Sequence, residues 1–180
     1  MIQTICIGDL LQAELATPFR RLLTRPTGAA IRGRIERALA GSVCLTALLD
    51  FSDIELLDLS CADEVVAKLL MAVRDRAEQY VALFGLSEDQ HEAIEHVLTH
   101  HHLAIAAVPP GRSAPRLLGW VPADARHAFT CLCTWGPLHP IGLARALGWS
   151  ENRAATSLED LTLLRLTRLA AGLYHPLPLA

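Results

Sequence analysis

The sequence predicts an α/β domain, a β-sheet packed with helices, over residues 1–121, followed by a small α+β domain over 122–180. Three observations carry this. Apolar runs of strand length alternate with runs of helical period up to about residue 108. Pro109, Pro110, Gly111, Pro115 and Pro122 cluster where the two parts meet. Beyond them a helix, a glycine-containing turn and another helix lead into two short β-like runs around Gly172.

In the first part, Ile2, Ile5 and Ile7 lie in a short β-like stretch ended by Gly8-Asp9. A helix is expected over 27–40, with Gly28 at its start and Ile31, Ile35 and Leu39 on one face. Gly41-Ser42 ends it. The nearly continuous apolar run over 42–52 suits a strand covered on both faces. The next helix has the clearest period: Ala62, Val65, Val66, Leu69, Leu70 and Val73 form a stripe, and Asp63, Glu64, Lys68, Arg74 and Asp75 occupy the other face. Ser60 is the expected N-cap, with Asp63 three residues on. A buried strand over 80–86 follows, ended by Gly85. A helix capped by Ser87 comes next, with Glu88 and Asp89 in its first turn and Ile94, Val97, Leu98 and His101 on its face. Residues 103–108 read as a further strand, and 116–121 as a last edge strand.

In the second part, helices are expected over 124–135 and 140–147, the latter with Gly148 at C′. Ser150 caps a third helix lined by Ala154, Leu158 and Leu161. Residues 167–169 and 173–176 form two short strands, a plausible wing.

The stretch Leu49-Asp50-Phe51-Ser52-Asp53-Ile54-Glu55, then Asp58-Leu59-Ser60-Cys61-Ala62-Asp63-Glu64, resembles STAS-like domains, with Thr27-Gly28 and Ile31-Arg32 similar to the preceding helix of that branch. The resemblance covers roughly the first 108 residues. STAS domains of the anti-sigma-factor-antagonist kind are regulatory binding modules, and a partner kinase phosphorylates a serine at this strand-to-helix junction. The resemblance therefore implies a kinase-like or anti-sigma partner. It makes Ser60 the candidate phosphosite and Asp50, Asp53, Asp58, Cys61, Asp63 and Glu64 the partner-binding residues. The usual run is Asp-Ser-Ser/Thr-Gly; here Asp58-Leu59-Ser60-Cys61 lacks the second hydroxyl and the glycine. Ser60 acting only as a helix cap stays open beside phosphoregulation.

The run from Ile141 to Ser150, then Ala154, Leu158, Leu161 and Arg165-Leu166, resembles winged helix-turn-helix domains of bacterial regulators over about the last 55 residues. That implies a third helix directed at a DNA major groove. Asn152, Arg153, Thr156 and Ser157 would sit at the bases, and Arg145 and Arg168 at phosphates. Glu151, Glu159 and Asp160 oppose such contacts. A winged helix used for protein contacts, including a homodimer, is the alternative.

Composition bounds these readings. Hydrophobic residues make up 52% and charged residues 19%, and mean hydropathy is +0.31. No apolar run reaches bilayer length, and residues 1–9 lack a basic start and a long apolar stretch, so a cytoplasmic protein is expected. Residues 1–123 hold 15 acidic and 11 basic side chains, a net −4; the rest holds 4 and 5, a net +1. Neither part has the strong basic field of a tight nucleic-acid binder.

Cys6, Cys44, Cys61, Cys131 and Cys133 read as free, mostly buried thiols. His96, His100, His101 and His102 lack the carboxylate or cysteine that would complete a zinc set, and Cys131 and Cys133 point to different helix faces. The acidic cluster Asp50, Asp53, Glu55 and Asp58 reads as a solvated loop edge. With no glycine-rich phosphate loop and no Gly-x-Ser-x-Gly elbow, an enzyme is not expected, nor a metal or other cofactor.

Overall fold

The computed structural model describes residues 1–16, 18, 20–43, 45–75, 79–111 and 114–179; Cys44 lies outside them. The chain is a mixed α/β protein that divides into two compact units. Residues 1–120, with the last residues from Pro178 onward, form one, and Val121–Leu177 the other. Among the described residues no helix is long and apolar enough to cross a membrane.

The first unit is built around a five-stranded sheet. Its strands are β1 (Ile2–Cys6), β3 (Thr46–Asp50), β5 (Tyr80–Phe84), β6 (Ala104–Val108) and β7 (Arg116–Gly119), adjacent in that order. The first four are parallel, and β7 runs antiparallel to β6. Sheet neighbours are thus sequence neighbours, and crossovers of one hand put their helices on one face. Those helices are α1 (Ile7–Leu15), α2 (Arg25–Ala40), α3 (Leu59–Ala62) continuing through a π-helical turn (Asp63–Ala67) into α4 (Lys68–Val73), and α5 (Glu88–His100). They also pack on one another.

The period of two explains the core. Ile5, Ala47, Leu49, Val81, Leu83, Ile105 and Ala107 join the helical Leu11, Ile31, Ile35, Leu69 and Ile94 in one buried cluster. Thr46, Leu48, Ala82, Ala104, Ala106 and Val108 take the opposite face and are buried too. Burial on both faces is why these strands read as continuous apolar runs.

Several sequence expectations are corrected here. Ile7, expected in a strand, opens α1 and is fully buried. A small parallel ladder, β2 (Arg21–Leu22) with β4 (Leu56–Leu57), had no sequence signal, because each strand is two residues long. The helix after β4 starts at Leu59, and its N-cap is Asp58, which accepts from Cys61 N at 2.7 Å. Ser60 sits inside the first turn and is not the cap. Glu64, expected on the polar face, is only 3% exposed. Asp58 caps the chain two residues earlier than Ser60 would, and the wider π turn then carries Glu64 toward α2. Gly28 makes that approach possible: a Cβ there would lie 3.0 Å from Glu64 Cβ and 3.1 Å from Cys61 Cα. Ser87 caps α5 as expected and forms a reciprocal capping box with Gln90.

The second unit holds α6 (Ala123–Trp135), α7 (Pro140–Leu147), α8 (Glu151–Leu163) and an antiparallel hairpin of β8 (Thr167–Ala170) and β9 (Leu173–Pro176). Gly148 ends α7 at φ 66°, a left-handed conformation that favours glycine. Ser150 caps α8 by accepting from Arg153 N at 3.2 Å. Leu138 bridges to Tyr174 through two 2.9 Å backbone bonds, adding a third chain segment to the hairpin. Leu143, Ala154, Leu158, Leu161 and Leu166 are buried at its centre.

Candidate functional site

The corner between β4 and α3 gathers most of the polar chemistry of the first unit. Asp58 organises it. Its Oδ1 accepts from Cys61 N at 2.7 Å and from Ser60 Oγ at 2.8 Å, and its Oδ2 from Thr24 N at 2.9 Å. Partial burial pushes the Asp58 carboxyl up, but these donors outweigh it and hold its pKa below the ordinary value. Thr24 has φ 73° and ψ 140°, an unfavourable backbone for a β-branched residue. The Asp58 bond and the thiol of Cys61, which donates to Thr24 O at 3.0 Å, hold it there. Burial, followed by the Asp58 charge, pushes the Cys61 thiol up to about 12. It is fully buried and serves as a packed hydrogen-bond donor.

One turn on, Asp63 and Glu64 meet a ring of bases. Arg25 Nη1 donates to Asp63 Oδ2 at 2.8 Å and to Glu64 Oε1 at 2.9 Å. Lys68 bonds Glu64, Arg32 Nη2 lies 3.5 Å from Glu64 Oε2, and His101 Nε2 lies 2.8 Å from Asp63 Oδ1. Burial raises both acids, but the bonds from Arg25 and His101 to Asp63, and from Lys68 and Arg25 to Glu64, bring their pKa values below normal. A buried Glu64 without these cations would be costly. In front of the network lies a hollow of about 520 Å³, bordered by Arg25, Leu59, Ser60 and Asp63 from one side and by His96, Val97 and His100 of α5 and its C-cap His101 from the other.

The structure therefore brings together Asp58, Ser60, Cys61, Asp63 and Glu64, and sets Asp50 and Asp53 in bonds of their own. Asp50 Oδ1 accepts from Ser52 N at 2.9 Å. Asp53 accepts a weak 3.8 Å bond from the Cys6 thiol and lines a separate hollow of about 230 Å³ with Gly8, Asp9 and Arg20. Cys61 and Glu64 are corrected as partner-binding residues: at 0% and 3% exposure they brace the corner from inside and offer no surface. Asp58 is no solvated loop edge either, since both its oxygens are engaged. Arg25, Arg32, Lys68, His101 and Thr24 escaped the sequence reading of the site. The one local signal was the Glu64–Lys68 spacing of four; the others arrive from α2 and α5.

In the second unit Asn152, Thr156 and Arg145 are exposed as expected. Ser157 is corrected: it is 3% exposed and its hydroxyl donates back to Arg153 O at 2.9 Å. Arg153 is exposed but engaged. Its Nε and Nη2 donate to the two oxygens of Asp124 at 2.7 and 2.6 Å, and its guanidinium lies 4.3 Å over the Trp149 ring. Arg153 is the first cause of the lowered pKa of Asp124. Arg168 is half-buried, and its Nε is buried without a hydrogen-bond partner.

Among the described residues no three His, Cys, Asp or Glu side chains converge closely enough to hold a metal ion. No protein-family model, curated protein or solved structure gives a significant match to this chain.

Proposed function

We propose that the chain is a cytoplasmic regulatory protein that acts by binding rather than catalysis. In this reading the first unit is a STAS-like partner module and the second a winged helix-turn-helix that binds DNA. The observation that supports it best is the Asp58–Ser60 corner. Ser60 is partly exposed, borders an open hollow, and bonds through its hydroxyl to a braced carboxylate at the strand-to-helix junction. That is where STAS-like modules carry the serine their kinases modify. A phosphate there would add about −1.5 to −2 charges beside Asp58 and Asp63, changing what a kinase-like or anti-sigma partner meets. Mass spectrometry of the chain purified from its natural host, with any partner it retains, tests this. Phosphate on Ser60 together with a retained regulatory partner is expected. Unmodified Ser60 and no retained partner under every growth condition would remove the reading.

A specific observation favours a second reading, an adaptor whose winged helix makes protein contacts or a homodimer. The arginine best placed to read bases, Arg153, is held by Asp124 and Trp149. Gel-shift assays across a salt series separate the two. Binding that weakens steeply with salt supports DNA, and none at low salt supports the adaptor.

A further inference from the structure

We infer that the hollow beside Ser60 is a binding site for a small organic oxyanion, a carboxylate or phosphate ester carried on an apolar body. Its volume of about 520 Å³ is that of a small-molecule cleft. The class of ligand follows from which hydrogen-bonding groups are already used. Both oxygens of Asp63 already accept, one from Arg25 and one from His101, each at 2.8 Å. The Ser60 hydroxyl donates its one hydrogen bond to Asp58. Donors remain. Among the described residues the hydrogen bonds of Arg25 all use Nη1, so Nε and Nη2 carry further N–H groups on a half-exposed side chain. His96 and His100 stand one turn apart on α5, both exposed and both bordering the hollow. Each can present an N–H, as a neutral tautomer or as imidazolium.

The unused N–H groups favour a ligand that brings acceptors, and an oxyanion forms the stronger, charge-assisted bonds with Arg25. A cationic ligand would meet the like charge of Arg25, and an Asp63 carboxylate already paired with Arg25 and His101. The apolar body has its own wall: Leu59 is 51% exposed at the rim, and Val97 lies behind it. Covering Leu59 removes apolar surface from water. The inference concerns the unmodified chain and stands on Arg25, His96 and His100, so a failure to find phosphate on Ser60 would leave it standing.

The test titrates the full chain, labelled with 15N at histidine, with phenyl phosphate, benzoate, inorganic phosphate and benzyl alcohol, following the imidazole resonances. Phenyl phosphate or benzoate is expected to shift His96 and His100 saturably, and the tighter of the two tells phosphate from carboxylate. Benzyl alcohol, with the same ring and no charge, should bind at least about tenfold more weakly. Inorganic phosphate should bind more weakly than phenyl phosphate, for want of the apolar body. The double variant His96→Ala/His100→Ala removes both donors outside the ion-pair network, so its melting temperature should hold while anion affinity, read from the remaining His101 resonance, falls by about tenfold. Leu59→Gln should weaken phenyl phosphate and leave inorganic phosphate unchanged. No saturable shift with either organic anion, equal binding of benzyl alcohol, or undiminished affinity in the double variant would each overturn the inference.

Discussion

Asp58 shows how much one side chain can organise. Three donors from two chain segments converge on it, and one of them, Thr24 N, belongs to a residue held at a positive φ. Asp58→Ala removes the cap of α3 and the tie on Thr24 together, and should cost about 2–3 kcal/mol in urea unfolding. Ser60→Ala removes a single bond and should cost about 1 kcal/mol or less. A larger loss from Ser60 than from Asp58 would show that the cap has been misassigned. The acids of this corner also set a pH dependence. Asp58, Asp63 and Glu64 all have folded pKa values below their ordinary ones. They contribute stability that is fully present above the unfolded carboxyl range, about pH 4–4.5, and is lost as pH falls through the lower folded values. Urea midpoints should be flat between about pH 5.5 and 7 and fall below about pH 4. The Arg25→Gln variant should begin from a lower plateau and lose less on acidification.

At the scale of the element, the helix from α3 through the π turn to α4 was legible in part. Its apolar stripe announced Ala62, Val65, Val66, Leu69, Leu70 and Val73; five are buried, and Leu70 is half-buried against the core. The extra residue in the turn over Asp63–Ala67 was not legible, because the reason for it is tertiary. It aims Glu64 at Arg25 and Arg32 of α2 and still leaves the stripe on the core. Gly28 is the matching feature on α2. Alanine favours helices by roughly 1 kcal/mol over glycine. Here the added methyl would sit 3.0–3.2 Å from Glu64 and Cys61 atoms, so Gly28→Ala should destabilise by about 1–3 kcal/mol instead. A stabilised Gly28→Ala protein would mean the two helices are not held this closely. The cap of α5 is the opposite case, a local motif read directly from Ser87 and the acids after it. Gln90 added what the sequence did not show, a 2.6 Å bond from its Nε2 to Ile54 O.

At the scale of the whole molecule, charge is the limiting quantity for the second unit. Residues beyond 123 carry a net charge of +1, and the Arg153 guanidinium is already bound to Asp124. Any DNA binding should therefore be weak and steep in salt. Asp124→Asn loosens that clamp and should raise affinity for duplex DNA in a gel shift. No binding by either protein at low salt would favour the adaptor.

Alternation of strand and helix, the proline-rich junction, and the caps at Ser87 and Ser150 were determined by the sequence alone, because period and capping act between residues a few positions apart. The hairpin around Gly172 was legible for the same reason. The tertiary structure alone decided the sheet order β1-β3-β5-β6-β7, the burial of Glu64, the assembly of Arg25, Asp63 and His101, and the capture of Arg153 by Asp124. Each joins residues 29 or more positions apart, or strands whose neighbours no local pattern specifies. The energy that selects them, from close packing and from pairing charges away from water, exists only once the distant segments meet.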